Sequence, residues 1–398
     1  MTTKDLFKLE NVIQNYAWGS KTALQSLFGV ENTKQQPQAE VWMGAHPNGS
    51  STIFIDGQKC LLASAIDVNP KFWLGEKFES YESQLPFLVK ILAAGQPLSI
   101  QVHPSKVAAK HGFEKENRLG FAIDAPERNF KDSNHKPELI YAITPYLAMN
   151  GFRDLQVIHK LFSAAILPSL NDILAPFLAI PTKETLQQLF STILQMDEAK
   201  KTCVVKELLN FEPTQEEDVE VIDTFRLIAE LAKLYPCDVG LFSPLFLNVV
   251  ELQPGEAMFL FAETPHAYLK GVGVEVMANS DNVLRAGLTP KYIDVPALLA
   301  NTKFESIKVS DLRMQPYQEG NRSVYPIPVD DFKFDIIREG EFENVVSSPE
   351  ILLCIDGSVE IYSSQNRVNL IAGESVIIPA AASSYSFNNH GTVVRTYC

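Results

Sequence analysis

A chain of 398 residues exceeds what one ordinary hydrophobic core accommodates, so roughly two or three domains are expected. With 46% hydrophobic and 21% charged residues, its composition is that of a globular protein, not of a disordered or membrane one. A net charge of −14 disfavours nucleic acid and anionic lipid, which need a broad basic face, yet leaves room for a small phosphorylated ligand held by a few local donors.

The first residues, Met1 to Glu10, contain no apolar segment, so no secretory signal is expected. No apolar run approaches the ~20 residues that span a bilayer. Cys60, Cys203, Cys237, Cys354 and Cys398 are scattered without a CxxC pair, which predicts reduced thiols and a cytoplasmic protein.

Taken in chain order, runs rich in Val, Ile, Phe and Tyr between turn residues predict strands at 51–55, 97–102 and 139–143. Glycine then disappears between Gly151 and Gly240. Within that stretch a helix is expected around 155–162. Leu186, Leu189, Phe190, Ile193 and Leu194 form one apolar helical stripe. A capping box at Thr214–Glu217 is expected to open a second stripe through Val221, Ile222, Phe225, Ile228 and Ala229. Strands resume at 246–252, 257–261 and 272–277, and again at 332–337, 351–355, 359–362 and 374–378. Asp356-Gly357 is expected to be a hairpin turn. The fold class is therefore mainly β with an all-helical insert.

A faint internal repeat links Pro254-Gly255-Glu256 and the strand after it to Ala372-Gly373-Glu374 and its strand. Eleven residues beyond each glycine stand His266 and Ser384, so only the first copy offers a metal ligand there.

Ser99-Ile-Gln-Val-His103 carries the most chemistry per residue. Alternation along a strand puts Ser99, Gln101 and His103 on one face, which is either a solvated polar stripe or part of a metal site. Lys136 and Glu138 show the same spacing at the mouth of an apolar strand, where a buried carboxylate must be ion-paired or bound to metal. Glu263-Thr-Pro-His266-Ala-Tyr268 adds a histidine in a tight corner. Two histidines, a glutamate and a neutral glutamine make a mixed N/O set suited to a catalytic zinc with open positions. Asn279–Lys291 supplies Asp281, Arg285 and Lys291 on a polar, turn-rich run, where the two cations could hold a phosphate or an oxyanion. His46 reads as a turn residue. His111, His135, His159 and His390 have no informative spacing.

Together these segments resemble the type I mannose-6-phosphate isomerases (phosphomannose isomerases), a zinc branch of the cupin superfamily. The likeness runs from Gln14-Asn-Tyr-Ala-Trp-Gly19 and Ala39–Pro47 through Pro86–Lys90, Ser99–Pro104 and Asn134–Glu138 to Thr264–Tyr268 and Asn279–Lys291. The resemblance implies one zinc per chain on Gln101, His103, Glu138 and His266, with Arg285 catalytic. It implies a discontinuous catalytic cupin domain (1–152 and 240–310), a helical insert (153–239) and a C-terminal jelly roll without metal ligands (311–398). The expected reaction interconverts mannose 6-phosphate and fructose 6-phosphate through an enediol. Glu275 is the first carboxylate to consider as proton-transferring base, with Tyr268 and Lys136 behind it. Ser99, Lys90, Lys136, Tyr268, Asp281 and Lys291 are candidate substrate contacts. The expected partner is a small phosphorylated sugar, and the expected state is a monomer. Two rivals remain at this point, a different metal-dependent cupin such as an iron or manganese oxygenase, and a non-enzymatic sugar-binding bicupin.

Overall fold

The computed structural model describes residues 4–214 and 217–398. The first of two antiparallel jelly rolls stands between a helical block, with which it shares one apolar core, and the second roll, with which it shares another. In the first roll, the strands run in the order Leu247–Leu252, Tyr146–Phe152, His266–Ala278, Phe87–Ala94, Glu40–Met43 and Val12–Gln14. Ile100–Val102, Glu138–Ala142, Ala257–Leu260 and Leu284–Gly287 join the same sheet off this path. The second roll pairs a seven-stranded with a four-stranded sheet.

The strand His266–Ala278 holds the first roll together. Its opening residues pair with Tyr146–Phe152 and Ile100–Val102, and its second half pairs with Phe87–Ala94 and Glu138–Ala142. The change of partners follows a register shift at Tyr268–Lys270 and a positive φ (132°) at Gly271. A Cβ at Gly271 would stand 2.7 Å from the Pro145 carbonyl oxygen, so only glycine permits this close approach. That break is why apolar alternation predicts only its second half.

The glycine-free stretch is helical as expected, with helices Leu155–Ala164, Asn171–Ala179, Lys183–Leu194, Glu198–Leu209 and Val219–Ala232. Four of the five starts obey capping chemistry: Asp154, Thr182, Asp197 and Asp218 each accept a hydrogen bond from the first helical turn. Asp218, not Thr214, caps the last of them, and residues 215 and 216 of the expected capping box lie outside the described residues. The stripe Leu186, Leu189, Phe190 and Ile193 is buried. This helical core continues into Phe152, Phe246 and the outward faces of Ile100, Val102, Leu284 and Ala286. The insert thus backs the very strands that carry Gln101 and Arg285.

Asp356-Gly357 differs from expectation. Glu350–Asp356 and Ser358–Ser363 belong to different sheets, so the dipeptide turns a corner of the roll and closes no hairpin. Gly357 has φ 68°, and a Cβ there would meet the His390 carbonyl oxygen at 2.2 Å. The chain's first strand, Phe7–Lys8, pairs with Ser375–Ile378 of this same C-terminal sheet.

Inside the second roll lies a buried ionic network. Arg395 bonds both Glu350 oxygens (2.6 and 3.0 Å) and Asp335 Oδ2 (3.0 Å), while Tyr385 Oη donates to Glu350 (2.7 Å) and Arg322 reaches Asp335 (3.3 Å). Removing one partner of such a network leaves buried charge uncompensated, typically at about 3–5 kcal/mol. Arg395→Ala is therefore expected to lower the denaturant midpoint substantially. An unchanged midpoint would show that Glu350 and Asp335 find other neutralisation.

Candidate metal centre and active site

Sheet register assembles the polar end of the first roll. His266 and Arg285 both pair with Gln101, one from each side, so the three side chains form a row across adjacent strands on one face. A parallel row places Glu275 opposite Lys90 and Lys90 opposite Trp42. Glu138 opens its strand opposite Leu260 and Met277.

His103, Glu138 and His266 are all buried, and one donor atom from each lies within 4.8 Å of the others. The tautomers are decided by their second nitrogens. His103 Nδ1 lies 2.7 Å from the Asn282 carbonyl, and His266 Nδ1 lies 2.9 Å from the Thr264 carbonyl. A carbonyl oxygen only accepts, so both Nδ1 atoms carry the proton and both Nε2 lone pairs face inward. They face Glu138, at 3.2 Å from His103 and 3.6 Å from His266. His103 Nε2 finds no hydrogen-bond partner among the described residues. Acceptors pointed at an acceptor, in a buried pocket, are stable around a cation.

Charge states fit the same reading. Burial, then the Lys136 ammonium, pushes the His103 imidazolium down to about 4, so the ring is a neutral donor near neutral pH. Burial opposes ionisation of Glu138, but the Lys136 ammonium at 3.1 Å outweighs it and holds the carboxyl well below its usual range. Gln101 Nε2 donates to Ser99 Oγ (3.3 Å), leaving its carbonyl oxygen free to ligate. Two imidazole nitrogens, a carboxylate and an amide oxygen fit zinc, and a soft-metal or closed structural set is absent among the described residues.

Around this centre Lys90, Glu275, Ser99, Lys136 and Tyr268 line one small pocket. Burial disfavours the Lys90 charge, yet Glu275 at 2.7 Å and Glu40 at 3.8 Å hold its ammonium above the ordinary lysine range. Burial in turn raises the Glu275 carboxyl, against the pull of Lys90. Tyr268 Oη donates to Glu138 Oε2 at 3.3 Å. Asp281 lies apart from this pocket, tethered by Asn48 Nδ2 (2.9 Å) and near His46 Nε2 (3.5 Å) in the adjoining cavity. Lys291 is exposed, close enough to Arg285 and Lys131 to feel their charge.

Sequence reasoning passed over two residues that matter here. Glu40 is buried in the pocket, accepts from Trp42 Nε1 and faces Lys90. Its signal was available, since a lone carboxylate in the apolar run Ala39–Met43 demands a partner. Asn282 is fully buried, orients His103 through its carbonyl, and bonds Lys131, Asp132 and Asn134 with its side chain. A buried asparagine of this kind leaves no mark in the pattern.

Three family models match successive parts of the chain. They are the catalytic domain of type I phosphomannose isomerase at 6–155, its helical insertion domain at 171–247, and the mannose-6-phosphate isomerase cupin domain at 321–398. The chain belongs to the type I phosphomannose isomerases. Mannose-6-phosphate isomerase of Escherichia coli (strain K12) is 49% identical over 393 residues, covering 98% of this chain and 99% of that one. The human enzyme of the same name is 33% identical, covering 90% of this chain and 89% of its own. Among solved structures, a phosphomannose isomerase mutant from Salmonella typhimurium superposes with a TM-score of 0.93 at 47% identity, with 99% of both chains covered. A Salmonella typhimurium mannose 6-phosphate isomerase bound to fructose 6-phosphate and zinc superposes with a TM-score of 0.91 at 47% identity, again over 99% of both chains.

Within this family fold the two rolls of the chain correspond residue by residue. Leu260 faces Glu138 as Ile378 faces Glu350, Lys90 faces Glu275 as Asp335 faces Arg395, and Leu92 faces Glu40 as Ile337 faces Arg322. The glycine repeat marks the same equivalence, with Gly255 and Gly373 both at positive φ and His266 and Ser384 each opening a strand. Three of the four charges are reversed in the second roll. Only the glutamate keeps its sign.

Proposed function

We propose that the chain interconverts D-mannose 6-phosphate and D-fructose 6-phosphate with one zinc ion held by Gln101, His103, Glu138 and His266. The observation that carries this reading is the pair of inward Nε2 lone pairs facing a buried, ionised Glu138. The ligand set, full-length family membership and the relative bound to fructose 6-phosphate and zinc all support it.

Bound there, zinc supplies positive charge to sugar oxygens, either stabilising a developing oxyanion or holding hydroxyls in place. Glu275 removes the proton from C2 of the open-chain aldose, leaving an enediolate with its charge on O1. A proton passes from O2 to O1, and Glu275 returns its own proton to C1 to give the ketose. Lys90 keeps the carboxylate aimed through their 2.7 Å ion pair. Tyr268 and Lys136, on either side of Glu138, are the alternative proton carriers. Arg285 stabilises the oxyanion, and its half-buried guanidinium has no bonded partner among the described residues. Lys291 and Ser99 contact the substrate's phosphate and hydroxyls.

The working division is a catalytic roll (1–152 and 240–310), a helical insert (153–239) and a metal-free C-terminal roll (311–398), acting as a monomer. No described helix is long and apolar enough to cross a membrane, and the five cysteines are free thiols, which supports a cytoplasmic setting. Fructose 6-phosphate formation from mannose 6-phosphate, followed before chelation, after it and after zinc is restored, tests the proposal. Turnover should vanish and return. Folded, zinc-loaded protein without turnover would refute it in favour of a sugar-binding bicupin.

A further inference from the structure

The helical insert supplies none of the pocket residues, yet its last residues bond to the segments beside Ser99 and Arg285. Asp238 Oδ1 accepts from Gly240 N (2.6 Å), capping the short turn Val239–Phe242. The same oxygen accepts from Leu288 N (2.8 Å), and Oδ2 accepts from Thr289 N (3.0 Å). Thr289 Oγ1 in turn accepts from Lys291 N at 3.1 Å. Three residues before Asp238, Tyr235 Oη donates to the Pro97 carbonyl (2.9 Å), just ahead of Ser99.

Helix capping accounts for the bond to Gly240 but not for those to Leu288 and Thr289, 50 and 51 residues further along. The backbone so gripped is unusual. The pairing register slips between Arg285 and Gly287, Gly287 has φ 143°, and Leu288 has φ 52°. A leucine in the left-handed region persists only where its surroundings over-determine it. Gly240 makes the approach possible, because a Cβ there would stand 2.5 Å from Leu288 N.

We propose that Asp238 is a positioning residue for substrate binding, fixing from the helical insert the run Leu288–Lys291 and with it the Lys291 ammonium beside Arg285. The inference rests on Lys291 holding the anionic end of the sugar phosphate. Burial and the neighbouring Arg285 and Lys131 charges push the Lys291 amine below its usual range, a crowding of cations that a phosphate dianion relieves.

Asp238→Asn keeps the side chain's size but turns a donor toward a backbone N–H. Expected are parallel rises of about tenfold in KM for mannose 6-phosphate and in Ki for inorganic phosphate, with kcat within about threefold of the parent. Zinc content should stay at the parental level. Unchanged KM and Ki in the folded variant would overturn the proposal, as would a loss of kcat and zinc without change in either. Lys291→Ala is measured in parallel. If it leaves phosphate inhibition untouched, the assignment of Lys291 fails; if Lys291→Ala raises Ki and Asp238→Asn does not, the positioning role alone fails. Should Asp238→Asn not fold, Thr289→Val removes only the acceptor of the Lys291 N–H and decides the matter by the same KM and Ki readings.

Discussion

A His266→Ala protein is expected to lose its zinc and its turnover together. The substitution deletes one of two inward Nε2 donors and leaves the buried carboxylate of Glu138 with a three-ligand set at best. Several kcal/mol of charge stabilisation depart with the ion, so activity should fall by at least ~10³-fold, to background. The fold should survive, because Glu138 keeps Lys136 at 3.1 Å and the apolar cores are built from the neighbours of His266, such as Ala267 and Leu269, and not from His266 itself. Metal analysis of the purified variant, alongside its circular dichroism and its rate at saturating mannose 6-phosphate, reads all of this. An active, metal-free His266→Ala protein would remove His266 from the ligand set.

Arg285→Ala separates chemistry from metal binding. Arg285 pairs with Gln101 in register, so its side chain projects beside the ligand row without belonging to it. A preorganised donor aimed at a developing oxyanion is worth roughly 10²–10³ in kcat, and a loss of that size is expected with zinc retained. Arg285→Lys should recover only part of it, since an ammonium keeps the charge but not the fork of the guanidinium. If KM rose and kcat held, Arg285 would be a clamp on the substrate ground state.

The helical block could be read from sequence because each apolar stripe repeats at the period of the helix, as in Leu186, Leu189, Phe190 and Ile193. His103, Glu138 and His266 stood out for a related reason. Each sits at the edge of an apolar strand, where polar groups are conspicuous. What escaped notice depends on contacts between distant segments. The start of His266–Ala278 was hidden by the sheet switch at Gly271, which no alternation pattern spans. Asp356-Gly357 has the composition of a hairpin turn, yet only tertiary packing decides that its strands part into separate sheets. Asp238 lies 50 residues from the amide it holds, and Asn282 serves through a main-chain carbonyl that any residue could supply.

The reversed charges of the second roll bear on what each half of the molecule requires from its surroundings. In the first roll, Glu40, Glu275 and Glu138 face only the two ammonium groups of Lys90 and Lys136, so these buried acids are short of one positive charge. In the second, Arg322 and Arg395 match Asp335 and Glu350, and the account closes within the chain. Zinc scarcity should therefore silence the isomerase without loosening its C-terminal half. One roll inherits its counter-ion as an encoded arginine, whereas every new copy of the other must capture its own from the cell.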